Sequence, residues 1–346
     1  MESERILGQN HILRHFENAI RMGKISHAYI INGEEGSGKM NLAIHFAKAL
    51  QCERNNSNKA INEDGERITV PGTACGQCKS CKQTDSKNQP DIKYITYEKS
   101  GIGVDEIREQ INDDIDIKPY SSPYKIYIVP ESEKMTVQAQ NALLKTIEEP
   151  PEYAIIILLT TNADTFLQTI LSRCVMLNIR PVKEDIIKNQ LTSQYGVGDY
   201  EARVAATFSN GNLGKAIKLA TSEEFKELKQ YVVGMFMSLE KGGMDIIGEA
   251  IKKTGTFKKQ IDEYFSLMRI WFRDILVYKA TKEEDQIIFQ DEYMTIEKMS
   301  QTYSFDDIND ILKAIDLAES RIKSNVNFDS TIEILLLSIK EKTSGK

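Results

Sequence analysis

The chain has 346 residues, 41% of them hydrophobic and 27% charged, which is typical of a globular protein with two or three domains. Its net charge of −7 argues against tight, autonomous binding to nucleic acid. No apolar run approaches the ~18 residues of a membrane-spanning helix, and the N-terminus MESERILGQN is charged where a signal peptide would be apolar. We therefore expect a cytoplasmic protein with no membrane partner.

Strands and helices are predicted to alternate over residues 1–180. Five apolar, β-rich runs are typical of strands buried on both faces of a sheet. They cover residues 27–32, 91–97, 125–130, 154–160 and 174–179. Helical periodicity fills the intervals, for example around Leu42, Phe46 and Leu50. Repeated strand–helix–strand units predict an α/β domain with a parallel sheet flanked by helices, and such sheets bind ligands at the carboxyl ends of their strands.

The stretch GEEGSGKM follows the first predicted strand and nearly matches the phosphate-binding pattern G-x-x-x-x-G-K-[ST]. The matching residues are Gly33, Gly36, Gly38 and Lys39. Met40 replaces the hydroxyl residue that would bind Mg²⁺, an ion that requires oxygen ligands, which a thioether does not supply. The loop could still hold an anion or bind nucleotide weakly, because a helix N-terminus attracts phosphate without metal.

The second expected Mg²⁺ ligand is also missing. It would be an Asp at the end of a later strand, KIYIVPESEK, where this chain has Pro130. Glu131, a residue that could activate water, remains. Two losses at one ion predict that the chain does not hydrolyse ATP. The alternative is an active ATPase with unusual metal coordination, in which Glu131 and Glu133 replace the missing Asp.

The cysteines are clustered. Three of the five form CGQCKSC, with Cys75, Cys78 and Cys81, and in a reducing compartment this spacing indicates a metal site rather than a disulfide. Cys174 lies in a predicted strand and is interpreted as a small core residue. The four histidines show no ligand spacing, and His45 is interpreted as structural.

The chain after Pro181 is predicted to be helical. Residues 182–229 are interpreted as short helices with a glycine-rich turn, SNGNLGKA, and residues from about 230 onward as longer helices. Ser304, followed by acidic residues, is a predicted helix N-cap. An apolar stripe at helical spacing comprises Phe257, Ile261, Tyr264, Met268, Trp271 and Ile275. Such stripes indicate an intramolecular core, although the same face could pack against neighbouring subunits.

Two stretches of the first half carry a family resemblance. ESEKMTVQAQNALLKTIEEPPEYAIIILLTTNAD and LQTILSRCVMLNI closely resemble the clamp-loader branch of the AAA+ proteins, in particular the delta-prime subunits of bacterial DNA polymerase III. ILGQN and SNGNLGKAIKLA extend the similarity to about the first 220 residues. The resemblance implies an AAA+ P-loop domain (1–180), a small helical lid domain (181–229) and an all-helical collar domain for oligomerisation (230–346).

The resemblance also implies a function. Active clamp loaders are pentamers in which an arginine of an SRC motif completes the nucleotide site of the adjacent subunit, and Arg173 is that residue here. A sensor arginine of the lid is replaced by Gly214. The implied role is a non-hydrolysing stator in the DNA polymerase III holoenzyme, a DNA-directed DNA polymerase. Its partners would be gamma/tau-type and delta subunits in a hetero-pentamer, the sliding clamp, and primed DNA through the complex.

A structural zinc module is implied as well. The family carries one cysteine before a C-x₂-C-x₂-C cluster, matched here by Cys52, Cys75, Cys78 and Cys81. Four thiolates form a closed tetrahedral zinc site with no open position for catalysis. The polar insertion between the first two ligands, residues 53–74, is predicted to be a flexible loop. A zinc-bearing DNA-binding scaffold is a further alternative, which the acidic net charge opposes.

Overall fold

The chain forms two compact units. A computed structural model describes residues 6–56, 71–98, 101–241 and 245–344. The first unit comprises Met1–Ile186 with Gly211–Lys215, and the second comprises Ile187–Asn210 with Ala216–Lys346. The division into a P-loop domain, a lid and a collar stays a prediction.

A parallel sheet forms the centre of the first unit. Five strands of the described chain hydrogen-bond in the order β2-β3-β4-β1-β5. Their bounds are β1 Ala28–Asn32, β2 Ile92–Tyr94, β3 Lys125–Val129, β4 Ala154–Thr160 and β5 Val175–Asn178. All seven residues of β4 are buried, because helices cover both faces of the sheet. The predicted α/β fold is confirmed, with β2 shorter than its apolar run.

Helices pack on both faces of the sheet. The helical segments of the first half are α1 Asn10–Met22, α2 Lys39–Gln51, α3 Glu53–Asn56, α4 Lys79–Asp85, α5 Val104–Ile107, α6 Asp113–Ile115, α7 Val137–Glu148 and α8 Gln168–Leu171. A π-helical turn, Arg108–Asn112, joins α5 to α6. Phe16 of α1 stacks on Phe46 of α2 in the core of one face, whereas Ile107 and Leu143 contribute to the core of the other.

The strand register brings three strand ends together. Asn32, the last residue of β1, lies opposite Thr160 at the end of β4 and Asn178 at the end of β5. The chain leaves β1 at this edge and enters the glycine-rich loop. The sheet therefore places the loop at the carboxyl ends of its central strands, as expected for a P-loop fold.

The second unit is helical in its described residues. The helices that follow the sheet are α9 Glu184–Tyr195, α10 Asp199–Phe208, α11 Leu213–Thr221, α12 Glu223–Lys241, α13 Asp245–Thr256, α14 Ile261–Thr281, α15 Tyr293–Thr302, α16 Phe305–Lys323 and α17 Phe328–Ser344. Helix α14 contacts α12, α15 and α16. Its residue Trp271 is fully buried and stacks on Phe236, which confirms the predicted apolar stripe within α14, whereas Phe257 lies before the helix.

Two further sequence features are visible in the helices. Ser304 caps α16, because its hydroxyl accepts a hydrogen bond from the Asp307 amide while the Asp307 carboxylate accepts from Ser304, as the sequence predicted. In the part of the chain that the structure describes, no helix is both long and apolar enough to cross a membrane.

Candidate functional site

The glycine-rich loop connects β1 to α2. Gly36 and Gly38 have φ values of +77° and +91°, in the left-handed region that favours glycine. The Gly33 amide donates to the carbonyl of Thr160 over 3.1 Å, which fastens the start of the loop to β4. The loop thus has the strand–loop–helix context that phosphate binding requires.

The lysine of the loop is bound by the loop itself. Lys39 Nζ donates to the carbonyl oxygens of Gly33 and Glu34, over 2.6 and 2.8 Å. Burial lowers the pKa of Lys39. The Ser37 hydroxyl is buried and has no hydrogen-bond partner among the described residues. Two of the three N–H donors of Lys39 are therefore occupied by carbonyls of the loop itself, and the Ser37 hydroxyl is enclosed rather than presented to a phosphate.

A distant segment of the chain, Gly211–Lys215, covers the loop. The Gly214 amide donates to the Gly36 carbonyl over 3.1 Å. Asn212 is only 5% exposed, and its Nδ2 donates to the Glu35 carbonyl over 2.7 Å. Asn212 Oδ1 in turn accepts from the Lys215 amide. These bonds occupy loop carbonyls and place backbone directly against the loop.

Gly214 has no room for a side chain in this arrangement. A Cβ atom at Gly214 would lie 2.4 Å from the Gly36 oxygen, closer than real Cβ contacts come, and the obstacle is backbone. The position that carries a sensor arginine in the implied family therefore cannot carry one here while the segment contacts the loop. The glycine is required by the contact.

The two sequence positions that would supply Mg²⁺ ligands carry Met40 and Pro130, which cannot bind the ion. Met40 packs against the hydrophobic core beneath α2. At the end of β3, Pro130 is followed by Glu131, which has a φ of +47°. The Glu131 carboxylate pairs with Lys134 over 2.7 Å and accepts a hydrogen bond from the Tyr97 hydroxyl, and these partners lower its pKa. The one carboxylate next to the missing ligand is therefore already engaged with other side chains.

Glu133, the other acid of the alternative ATPase hypothesis, is also engaged. Its carboxylate accepts hydrogen bonds from the hydroxyl and the amide of Thr161, over 2.8 and 3.3 Å. Thr160 is buried, and its hydroxyl donates a hydrogen bond to the carbonyl of Asn162 over 3.0 Å. A metal ion bound by Glu131 and Glu133 would therefore compete with the existing partners of both carboxylates.

Arg173 lies in the turn between α8 and β5. Its Nη1 donates to the Thr169 carbonyl over 3.0 Å and to the Ser172 hydroxyl over 3.3 Å, and its Nη2 lies 3.0 Å from a carboxylate oxygen of Glu148. The side chain remains 41% exposed. The next residue, Cys174, is partly buried against the core, and burial raises its pKa to about 12.

Arg173 and the glycine-rich loop lie at opposite ends of two neighbouring strands. Strand β5 is parallel to β1, with Val175 opposite Tyr29, and Arg173 precedes β5 whereas the loop follows β1. At ~3.3 Å per residue, the backbone of Arg173 lies about 15–20 Å from the loop along the strands. Arg173 therefore cannot act on a nucleotide held by the loop of its own chain.

The four predicted cysteine ligands come together. Their sulfur atoms all lie within 4.8 Å of one another, and the sulfurs of Cys75 and Cys81 are 3.9 Å apart. Cys52 follows α2, Cys81 lies on α4, and both are fully buried, whereas Cys75 and Cys78 are half-buried. A tetrahedral zinc site with Zn–S bonds of ~2.3 Å has S–S edges of about 3.8 Å. The donor set and its spacing fit zinc.

Backbone amides support these sulfurs. The amide of Cys75 donates to the sulfur of Cys52, that of Cys78 to Cys75, and that of Cys81 to Cys78. The amides of Cys78 and Gln77 lower the pKa of the Cys75 thiol to about 6, whereas burial raises the pKa of the Cys52 and Cys81 thiols. Such amide donors stabilise thiolate ligands.

The insertion between the first two cysteines differs in part from its prediction. Glu53–Asn56 form the short helix α3 rather than a flexible loop. The Asn55 and Asn56 side chains bond the last carbonyls of α2, those of Ala49 and Leu50, which fixes the start of the insertion. Residues 57–70 of the predicted loop lie outside the described residues.

Comparison with known proteins identifies the family. Residues 8–183 match the profile of a family described as "DNA polymerase III, delta subunit". The chain belongs to this family. Residues 248–341 match a second profile, "DNA polymerase III, delta subunit, C terminal". The predicted resemblance to clamp-loader proteins with an AAA+ P-loop fold is therefore confirmed.

The chain is also similar to individual proteins. Over 96% of both chains, this delta-family protein is 26% identical to DNA polymerase III subunit delta′ of Bacillus subtilis. It is 34% identical to DNA polymerase III subunit tau of the same organism, over 62% of this chain and 36% of tau. A DNA polymerase III gamma subunit-related protein of Thermotoga maritima has a solved structure with a TM-score of 0.42 at 21% identity, covering 96% of this chain and 99% of that one.

Sequence reasoning missed two residues that the structure places at these sites. Asn212 was not recognised as a side chain that hydrogen-bonds to the phosphate loop, although it lies in the glycine-rich turn SNGNLGKA. Glu148 was not recognised as the partner of Arg173, although it lies in the stretch TIEEPP that carries the resemblance. In each pair the two residues are too far apart in sequence for their contact to be read from spacing.

Proposed function

We propose that this delta-family chain is a stator subunit of the DNA polymerase III clamp loader. It would not hydrolyse ATP, but would take part in loading the sliding clamp onto primed DNA in the cytoplasm, as part of the DNA-directed DNA polymerase holoenzyme. Its neighbours would be gamma/tau-type ATPase subunits and delta in a hetero-pentamer. The observation that carries the proposal is the phosphate loop, whose carbonyls bind Lys39, Asn212 and Gly214 of the chain itself.

The chain's chemical contribution would come from Arg173, acting on a nucleotide in the adjacent subunit. Arg173 precedes β5 whereas its own loop follows β1, at the other end of the strands, and this separation supports a role toward a nucleotide held by another chain. A guanidinium offered in trans neutralises negative charge that develops on the transferred phosphoryl group and is worth about 10³- to 10⁵-fold in rate.

Zinc would have a structural role in this chain. Cys52, Cys75, Cys78 and Cys81 would hold the ion, and four thiolates leave no open position for a substrate. The bound ion would supply a rigid crosslink between the end of α2 and the start of α4. These two helices already contact one another.

Reconstitution with candidate ATPase subunits tests the proposal. We expect no ATPase activity above background from the isolated chain. In the assembled complex, Arg173→Ala should lower DNA-stimulated turnover at the adjoining site by about 10³-fold or more, and total turnover by the share of that site. Arg173→Lys keeps the charge but not the planar fork, and should recover only part of the rate.

Arg14 provides a matched control, because it is an exposed arginine on α1. Arg14→Ala should leave the rate of the complex unchanged. Robust ATP turnover by the isolated chain would contradict the stator role. Equal rates for the Arg173→Ala and Arg14→Ala complexes would contradict the role of Arg173.

A further inference from the structure

Arg173 is held from two directions. One is its own turn, where Nη1 contacts the Thr169 carbonyl and the Ser172 hydroxyl. The other is Glu148, whose carboxylate lies 3.0 Å from Nη2. Arginine carries five N–H donors, and these contacts engage at most three of them. With respect to the residues that the structure describes, at least two donors therefore remain for an acceptor on another chain.

Glu148 itself is fixed by a well-anchored helix. It is the last residue of α7, which begins with Thr136 as a side-chain N-cap. Leu143 and Ile147 of α7 are buried in the core under the sheet. The backbone of Glu148 is therefore held by a well-packed helix, whereas the turn that carries Arg173 follows a helix of only four residues.

An acidic residue at this position is unfavourable for the helix alone. The C-terminus of a helix carries a partial negative charge, so a glutamate in the last turn is destabilised and a cation nearby is stabilised. Glu148 and the C-terminus of α7 together favour a positive charge at the place where Arg173 lies. A residue that opposes local helix stability but binds a functional side chain is typical of a functional site.

We propose that Glu148 is a positioning residue that orients the Arg173 guanidinium toward the nucleotide of the adjacent subunit. This inference rests on the proposed function, in which Arg173 acts in trans. A free arginine side chain samples many rotamers, and an unheld guanidinium would reach the neighbouring phosphate in only a fraction of them. Glu148 restricts the guanidinium to one orientation before the subunits assemble.

The contribution should appear in catalysis and not in folding. Glu148 and Arg173 are 45% and 41% exposed, and exposed ion pairs contribute little to stability. We therefore expect Glu148→Ala to lower the kcat of DNA-stimulated ATP hydrolysis at the adjoining site about three- to tenfold, with little change in KM, and to lower total turnover of the complex in proportion to the share of that site. Glu148→Gln keeps an acceptor for Nη2 and should lose less activity.

Glu149 provides the matched control, because it is the next residue, is exposed and carries the same charge. It forms no ion pair among the side chains that the structure describes. Glu149→Ala should leave kcat unchanged. A purely electrostatic effect of removing one surface charge would instead reduce kcat equally in both variants, and that result would overturn the assignment.

The decisive measurement is the double variant. If Glu148 acts through Arg173, Glu148→Ala should have no further effect in the Arg173→Ala background. An equal loss of activity in both backgrounds would show that Glu148 acts independently, and would refute positioning while leaving the role of Arg173 intact. If Arg173→Ala has no effect at all, the proposed function fails and the inference fails with it. Unchanged thermal unfolding of the Glu148→Ala chain excludes misfolding as the cause of a lost rate.

Discussion

Replacing Gly214 with alanine tests whether the chain closes its own phosphate loop. The added Cβ would lie 2.4 Å from the Gly36 oxygen, so either the backbone shifts or segment Gly211–Lys215 leaves the loop. Within a helix, alanine generally gives a higher free energy of unfolding than glycine. Here Gly214 is the second residue of α11, and local propensity alone would predict stabilisation by about 1 kcal/mol.

The structure predicts the opposite sign. Leaving the loop would break the bond from the Gly214 amide to Gly36 and the bond from Asn212 to Glu35, each worth about 1 kcal/mol. Retaining the contact would instead cost about 1–3 kcal/mol of steric strain. With the gain in helix propensity deducted, Gly214→Ala should lower the free energy of unfolding by about 1 kcal/mol.

Urea unfolding followed by circular dichroism measures this change, with Gly234→Ala as the matched control. Gly234 is an exposed helical glycine of α12, and a Cβ added there would meet no atom within 4 Å, so its replacement should stabilise the chain by roughly 0.5–1 kcal/mol. The backbone amide of residue 214 should also exchange its hydrogen faster in the Gly214→Ala variant than in wild type. A Gly214→Ala chain that is as stable as wild type, or as strongly stabilised as Gly234→Ala, would refute the closed loop.

Three further outcomes follow from the described contacts. Met40→Ser should not create Mg²⁺-dependent ATP binding, measured with a fluorescent ATP analogue, because Lys39 stays bound to the loop carbonyls; tight binding would contradict this. Cys81→Ser should lower the zinc content measured by atomic absorption, whereas Cys174→Ser should not; equal zinc in both would exclude the cluster. Asp307→Asn should destabilise the chain at neutral pH. Hydrogen bonds from Ser304, and then Lys342, lower the Asp307 pKa, so its stabilisation is present above about pH 4 and is lost as pH falls through the lowered pKa. Urea unfolding curves at neutral pH and below about pH 4 measure this. A difference in the free energy of unfolding between variant and wild type that persists in acid would refute it.

The fold could be predicted because its signals are local. Each strand is a short β-rich run, and the β4 stretch AIIILLT is apolar throughout because both of its faces are covered. The N-cap at Ser304 is likewise set by residues within one turn. The cysteine cluster was predictable for a related reason, since three of its four ligands lie within seven residues and the family resemblance supplied Cys52.

The contacts that close the sites could not be predicted in this way. Gly214 meets Gly36 across 178 residues of chain, and only the tertiary structure reveals that the glycine is needed for a backbone contact. Sequence reasoning recognised the missing sensor arginine but interpreted it only as a loss. Glu148 and Arg173 are likewise joined by the sheet geometry, which brings the end of α7 close to the turn before β5.

Trp271 gives experiments on this chain a spectroscopic advantage. It is the single tryptophan of the sequence, and it is buried in the second unit between the rings of Phe236 and Phe289. Intrinsic emission excited at the red edge of the indole band therefore reports on the helical unit alone, whereas far-ultraviolet dichroism reports on the whole chain. A substitution in the glycine-rich loop that shifts the second signal while sparing the first would locate its damage without any added label.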